Sequence, residues 1–378
     1  MKICLIEPFH AGSHATWAEE YVRYSGHDVT LLTLDGRHWK WRMHGGAVSL
    51  AKRFMTEGLE PDLLLASDML DLATFLALTR ATTANLPTAL YCHENQLTYP
   101  WSPDDKDPQH KRDAHYAFIN YTSALAADAI LFNSRYHLEA LIGQLPEFLQ
   151  SFPDHNGLEN VELIRRKCQV LPLGLDLQAL DRYRPVQAVE TTSPPLILWN
   201  HRWEYDKNPE EFFRALFHLH GEGLAFRVAV LGEAYRKSPN IFDEARQQLG
   251  ERVIQFGYVE SFADYARWLW QADILPVTSH HDFFGASVVQ AIYCNCLPLL
   301  PRRLAYPEHL PATIQEHYLY DGHDHLVNRL REIITYPSKI STELRSHVAR
   351  YDWQEQAPQY DALFEDIKKA LFAFCVDK

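Results

Sequence analysis

Ser279-His280-His281-Asp282-Phe283-Phe284-Gly285-Ala286-Ser287-Val288-Val289-Gln290-Ala291 decides the fold of this chain. Before it, Ala272–Thr278 is an apolar run of the length a buried strand needs. After Gly285, the spacing of Ala286, Val288, Val289, Ala291 and Ile292 predicts a helix that ends near Asn295. The chain therefore passes from strand, through a polar loop, into a helix N-terminus. That geometry suits an anion, because free backbone N–H groups and the positive end of the helix dipole face the loop. Gly285 removes a side chain where a ligand would come closest. An ordinary strand-to-helix turn has the same pattern, so the remaining chain must decide.

Strand and helix signals alternate from end to end. In the first half the expected strands are Lys2–Glu7, Asp28–Leu34, Pro61–Ser67, Pro87–Cys92 and Ala129–Phe132, and Val170–Asp176 closes that half. The expected helices are Ala15–Tyr24, Met69–Arg80, Lys111–Ala126 and Tyr136–Ile142, the last with Ser134 as N-cap. A polar, proline-bearing linker follows at 185–195, and the alternation restarts. Strands are expected at Leu196–Trp199, Arg227–Leu231, Val253–Phe256, Ile274–Val277 and Leu297–Leu300. Helices are expected at Pro209–His220, Ile241–Leu249 and Phe262–Trp270. Such alternation predicts α/β structure, two doubly wound domains with ligands bound in a cleft at the carboxyl ends of the strands. We place the N-terminal, acceptor-side domain at 1–184 and the C-terminal, nucleotide-sugar domain at 196–352, with a last helix at 353–378 returning toward the first. The amphipathic face of that helix is read as Asp361, Leu363, Phe364, Ile367, Leu371 and Phe374.

Length and composition set limits. The 378 residues exceed one ordinary core, and 47% hydrophobic with 22% charged residues is the balance of a globular protein. A net charge of −13 excludes a uniformly basic, nucleic-acid-coating protein but not a local basic patch. Lys2–Glu7 lacks the apolar core of a signal peptide, and no apolar run is long enough to cross a bilayer. The six cysteines are scattered without metal-ligand spacing. The expectation is a cytoplasmic protein with reduced thiols, no metal site, no membrane contact and no obligate protein partner.

Two loops carry candidate chemistry. Arg202 and Lys207 lie between strand Leu196–Trp199 and the helix at Pro209, where a planar fork and a point charge suit a diphosphate. Arg37-His38-Trp39-Lys40-Trp41-Arg42 interleaves cations with aromatics, a pattern that can grip phosphates and stack on unpaired bases. Two tryptophans packed into the domain under a solvated loop would give the same residues. Lys106, His110, Lys111 and Arg112 form a second, sparser patch.

Arg202, Lys207 and the Asp282-Phe283-Phe284-Gly285…Gln290 element resemble the nucleotide-sugar site of retaining GT-B glycosyltransferases of the family 4 type. Glu7–His14, Trp39–Arg42, His93-Glu94-Asn95-Gln96-Leu97-Thr98-Tyr99-Pro100 and His281–Gly285 narrow the resemblance to the tRNA-queuosine α-mannosyltransferase family. It implies a GT-B fold and transfer of mannose from GDP-mannose, with retention and without a metal or other cofactor, to queuosine in the anticodon of tRNA-Asp. Within that resemblance, Arg202 and Lys207 would hold the diphosphate and stabilise the leaving charge, and Gly12 and Ser13 would add N–H groups from the opposite domain. Asp282 and His93 would touch the sugar. Phe256 and Tyr258 belong to the loop for the base, Phe284, Gly285, Ala286 and Ser287 to the loop for the phosphates, and Gln290 to the ribose. His14, Glu94, Asn95, Arg37, Lys40 and Arg42 would face the acceptor. The broader family carries glutamates where this chain has Asp282 and Gln290, which implies weaker nucleotide binding. A small-molecule, lipid or glycan acceptor, or a nucleotide-sugar-binding protein without turnover, remains open at this level.

Overall fold

A computed structural model describes residues 1–378 except 104, 108–113, 187–193, 234–237, 338–339 and 377–378; of 371–376 it describes the backbone alone. Two compact units divide the chain: Met1–Leu175 with Trp353–Lys378, and Asp176–Asp352.

In the first unit the order is β1 (Lys2–His10), α1 (Gly12–Tyr24), β2 (Asp28–Asp35), α2 (Trp39–Glu57), β3 (Leu63–Ser67), α3 (Leu72–Thr83) and β4 (Thr88–Cys92). It continues with α4 (Ala114–Ala126), β5 (Ala129–Phe132), α5 (Arg135–Gln150), α6 (Asn160–Lys167) and β6 (Cys168–Val170). The strands form one parallel sheet in the order β2-β1-β3-β4-β5-β6. β3 and β4 are buried at every position, as continuous apolar strands covered on both faces must be. Ser134 caps α5 as its position predicts, its Oγ accepting from the N–H of His137 at 3.0 Å.

The expected basic loop at 37–42 is a helix from Trp39 onward. Met43, Ala47, Leu50, Ala51 and Phe54 recur at helical spacing along α2 and are buried. Gly45 and Gly46, poor helix formers, hide that period. Gly46 is small because Pro8 lies against it; a Cβ there would stand 3.0 Å from the Pro8 Cβ.

The second unit runs α7 (Gln178–Asp181), β7 (Leu196–Trp199), α8 (Pro209–Gly221), β8 (Arg227–Val230), α9 (Ile241–Leu249), β9 (Val253–Phe256) and α10 (Phe262–Gln271). Then follow β10 (Ile274–Pro276), α11 (Ala286–Tyr293), β11 (Leu297–Pro301), β12 (Leu319–Tyr320), α12 (Gly322–Thr335) and α13 (Thr342–Val348). Its parallel sheet has the order β12-β11-β10-β7-β8-β9. Trp199 anchors its core against Phe212, Phe213 and Phe242, and Trp203 stacks on Phe242 at 4.2 Å.

Residues 176–184, assigned from sequence to the N-terminal domain, cluster with the second unit. The cause is a set of polar contacts around α7. The Asp352 carboxylate accepts from the Gln178 N–H at 3.0 Å, the Leu180 carbonyl from the Trp270 indole at 2.8 Å, and Asp181 from Arg345 at 2.6 Å. Of the expected linker, 187–193 lie outside the described residues, as do His110, Lys111 and Arg112 of the sparser patch.

The last helix, α14 (Trp353–Val376), belongs to the first unit, with Trp353, Ala357, Tyr360 and Phe364 buried in a stripe of helical spacing. That stripe begins about two turns earlier than the face read from sequence, because Trp353 sits where Gly174 leaves room: a Cβ at Gly174 would meet its ring at 2.4 Å. The Trp353 indole donates to Glu20 at 2.7 Å.

Candidate functional site

In the second unit, β7 ends in Asn200–Glu204 and a tight turn, Tyr205–Lys207, before α8. Asn208 adopts a left-handed φ of +51°, which turns the chain sharply into the helix. This carries Lys207 inward, where only 8% of the residue is exposed. Its ammonium donates to the His281 carbonyl at 2.8 Å and pairs with Asp206 at 3.1 Å and Asp282 at 3.5 Å. Burial alone would lower its pKa; the carboxylates of Asp282 and Asp206 outweigh it and hold the ammonium above its ordinary value. Burial likewise opposes ionisation of Asp282, but Lys207 prevails and keeps that carboxyl below the usual range. Burial, then Lys207, pushes His201 and His281 down to about 4, so both rings are neutral at pH 7.

Arg202 stands apart from this nest. Its side chain is half-exposed and pairs with Glu204 at 3.0 Å, although its charge is near enough to weigh against that of Lys207. The two cations are thus unequal: one is locked by the fold and the other is presented.

The strand-to-helix loop is more closed than its sequence suggests. Phe284 is buried against His309 and Tyr351, and its carbonyl accepts from the His309 Nε2–H at 2.6 Å. Its side chain is therefore a core residue, and only its backbone is left for a ligand. Phe283 is also buried, edge-on to His281. Gly285 has φ +89°, and a Cβ there would lie 3.1 Å from the Tyr306 ring. It makes room for Tyr306, which donates to Asp282 at 3.1 Å. Gly285→Ala should cost about 1–2 kcal/mol through the left-handed backbone alone. Denaturant unfolding measures that loss, and an unchanged midpoint would refute it.

Ala286 and Ser287 form the first turn of α11, which has no side-chain cap. The Ser287 carbonyl accepts from Asn200 at 2.9 Å. Gln290 is half-buried, with its Oε1 accepting from the Tyr265 hydroxyl at 2.9 Å, a partner the sequence does not reveal. Phe256 packs against Trp203 and beneath Arg246, so its ring serves the fold, whereas Tyr258 is exposed. A cavity of about 620 Å³ along the edge strand β9, lined by Arg246, Glu251, Gln255 and Phe256 among others, shares only Phe256 with the expected site.

In the first unit the carboxyl ends of the strands gather a second polar cluster. Gly12 opens α1 with φ +52° and open space at its Cβ position, and α1 too lacks a side-chain cap. Ser13 is exposed in the same turn. His14 points back to Glu7, with Nδ1 and Oε2 3.0 Å apart. Glu7 is fully buried and also accepts from the Phe9 N–H at 2.8 Å. Burial would lower the pKa of His14, but Glu7, helped by Asp68 and Glu94, pushes it up to about 9. The His93 ring lies 4.3 Å from that of His14. Burial, then the charge of His14, holds His93 well below its ordinary value. One imidazolium thus stands beside one neutral imidazole.

Asp68 accepts from the His93 N–H at 2.7 Å, and Glu94 from the Gln96 amide at 2.7 Å. Asn95 is almost wholly buried; its carbonyl closes a turn by accepting from Leu97 and Thr98. Glu7, His14 and His93 each bring one possible metal-ligand atom within 4.8 Å of the others. The 3.0 Å contact between Glu7 and His14 already satisfies that pair as a hydrogen bond.

Of the basic cluster, Lys40 is engaged within the fold, with its side chain 31% exposed. Its ammonium pairs with Asp105 at 2.7 Å and with Asp107, and the rings of Trp39, Trp101 and Tyr116 surround it. Arg42 donates to the Asp35 carbonyl at 2.9 Å, and Trp39 packs on Tyr116. Arg37 and Trp41 are exposed. The sequence reading gave no role to Glu7, Asp68 or Asp206. A charged residue following an apolar run within a strand, as Glu7 does in β1, is the signal that could have found the first.

The sequence profile of the tRNA-queuosine alpha-mannosyltransferase N-terminal family matches residues 2–175, nearly the whole N-terminal segment of the first unit. The tRNA-queuosine alpha-mannosyltransferase of Drosophila melanogaster is 30% identical over 373 residues, covering 96% of each chain. Sucrose-phosphate synthase from Thermosynechococcus elongatus superposes with a TM-score of 0.72 at 16% identity, over 98% of this chain and 100% of that one. HepE from Anabaena, in complex with UDP, gives 0.67 at 14% identity, over 97% and 100%. These likenesses show the GT-B glycosyltransferase fold.

Proposed function

Because this chain belongs to the tRNA-queuosine alpha-mannosyltransferase family, we propose that it transfers mannose from GDP-mannose to a cyclopentene hydroxyl of queuosine in the anticodon of tRNA-Asp. Transfer proceeds with retention, without a metal, in the cytosol. The observation that best supports this reading is the Lys207 nest. A buried ammonium, fixed by Asp206 and Asp282 beside the uncapped first turn of α11, is preorganised positive charge of the kind a departing diphosphate requires. Arg202, presented nearby, adds a planar donor. The departing phosphate then takes the acceptor proton, and no enzymic nucleophile is needed. Among the described residues no helix is long and apolar enough to cross a membrane.

The deciding experiment incubates the protein with queuosine-containing tRNA and a panel of labelled nucleotide sugars, followed by nucleoside mass spectrometry. Hexosylated queuosine formed only from GDP-mannose is the expected result. Label that enters a glycan or lipid fraction and never the tRNA would overturn the acceptor.

Two further expectations follow from the same reading. Gln290→Leu should weaken donor binding by about 1–3 kcal/mol, the loss of a hydrogen bond to ribose, while Tyr265→Phe removes only the partner of Gln290 within the fold. Equal donor dissociation constants for wild type and Gln290→Leu would place α11 away from the nucleotide. Binding to tRNA should weaken steeply with salt, and Arg37→Ala should flatten that slope by about one counterion, whereas Lys40→Ala should lower melting temperature first. A wild type indifferent to salt would exclude phosphate contacts.

A further inference from the structure

Three neighbouring strands of the first unit, β3, β4 and β5, stop close to one level: Ser67 pairs with Tyr91, and Cys92 with Phe132. The residue after each is polar, namely Asp68, His93 and Asn133. Past the last rung of a sheet, the backbone of the middle strand has no strand neighbours left to bond. Here side chains replace them on both sides. The Asp68 Oδ1 accepts from the His93 N–H at 2.7 Å, and the Asn133 Nδ2 donates to the His93 carbonyl at 2.9 Å. Asp68 is 2% exposed and Asn133 4%. Each is itself tied down: Asn120 of α4 donates to the Asp68 carbonyl at 2.9 Å, and the Asn133 Oδ1 lies 3.0 Å from the His137 Nδ1.

The ring of His93 is caged as well. It meets Trp17 edge-on with centroids 4.5 Å apart, Tyr91 at 4.9 Å and His14 at 4.3 Å. Its Nε2 is buried and has no hydrogen-bond partner among the described residues. The carboxyl ends of parallel strands are where such folds take their ligands. An imidazole held this closely, with one nitrogen left open, is preorganised for a hydroxyl. We propose that Asp68 and Asn133 are positioning residues for sugar transfer: they fix the His93 backbone from both sides, and through it the reach of the His93 Nε2 toward a substrate hydroxyl. The proposal rests on the transfer reading above and adds the residues that aim its imidazole. Such a clamp also satisfies two backbone groups at a strand end, so the test must separate orientation from folding.

The test is a double-mutant cycle on the full chain. Turnover is read on queuosine-containing tRNA, or on whichever acceptor takes label in the experiment above, and melting is read alongside. Asp68→Ala and Asn133→Ala should each lower kcat about tenfold to a hundredfold, the cost of misplacing a reacting group by about 1 Å. Asp68→Asn, which retains an acceptor for the His93 N–H, should recover most of that loss. In a His93→Ala background, residue 93 keeps its backbone but has no ring to aim. There the same substitutions should change kcat by no more than about twofold. The amide resonance of His93 gives a readout besides activity: it should move upfield in Asp68→Ala and stay in place in Asp68→Asn. Should Asp68→Ala fail to fold, Asn133→Ala carries the same comparison. Equal losses of kcat with and without the His93 ring would make the clamp purely structural and overturn the proposal. Wild-type turnover in His93→Ala would overturn it too, and leave the transfer reading standing. A wild type that labels neither tRNA nor any other acceptor would defeat the transfer reading, and the positioning role with it.

Discussion

Lys207→Ala should lower turnover by two to three orders of magnitude, on the order of 10²–10³, and weaken the second unit at the same time. The second effect comes from the geometry of the nest. Lys207 is buried between Asp206 at 3.1 Å and Asp282 at 3.5 Å, so its removal leaves two enclosed carboxylates without their cation. Breaking a buried pair from one side typically costs about 3–5 kcal/mol, because the surviving charge has lost both water and partner. Melting and turnover should therefore fall together. Adding Asp282→Asn to Lys207→Ala should recover part of the stability and none of the activity, which separates the two roles. Arg202→Ala provides the contrast. Its side chain is half-exposed and its ion pair with Glu204 lies near the surface, so stability should change by only about 0–1 kcal/mol while turnover falls steeply. If Lys207→Ala melts like wild type, the nest is not a closed ion-pair network. If both variants turn over normally, the leaving group does not sit there.

Glu7→Gln should remove a pH dependence of stability between pH 6.5 and 9. Glu7 raises His14 from an ordinary 6.5 to about 9 in the folded chain. A raised pKa means the folded state holds its proton longer than the unfolded state. The stabilisation is therefore complete below pH 6.5 and is lost as pH rises toward 9. Its size is up to about 3 kcal/mol, from the usual 1.36 kcal/mol per unit. Buried His93, His201, His281 and His309 are shifted the other way, chiefly by burial. Their stabilisation is present above pH 6.5 and lost as pH falls below it. Wild-type stability should consequently peak near pH 6.5, and urea titrations at pH 6.5 and 9 measure the alkaline limb. In Glu7→Gln that limb should flatten while the acid limb persists. A parallel alkaline limb in both proteins would show that the proton is not held by Glu7.

Much of this molecule could be read without coordinates, and the reason is periodicity. The strands Leu196–Trp199 and Val253–Phe256, and the helix Ile241–Leu249, fall where local patterning puts them, because each pattern is complete within a few residues. The alternation of such segments sufficed for two parallel sheets, and the positions of Arg202, Lys207 and His93 at strand ends followed from it. Where local signals conflict, the reading failed. Trp39–Glu57 is a helix despite Gly45 and Gly46, since its buried face repays their poor propensity only once it packs.

Partners distant along the chain lay beyond the sequence. Nothing near Lys40 in the chain announces Asp105, 65 residues away, and nothing near Gln290 announces Tyr265. Lys207 and Arg202 look alike in sequence, yet one is locked between two carboxylates and the other is presented. Glu7 and Asp68 read as the polar ends of strands until the sheet aligns β1 with β3 and gathers them around His14. Local sequence set the elements, because side-chain period and turn chemistry act over a few residues. Which charges are buried, paired or available was decided only when distant strand ends met, because desolvation and Coulomb energy depend on separation in space and not along the chain.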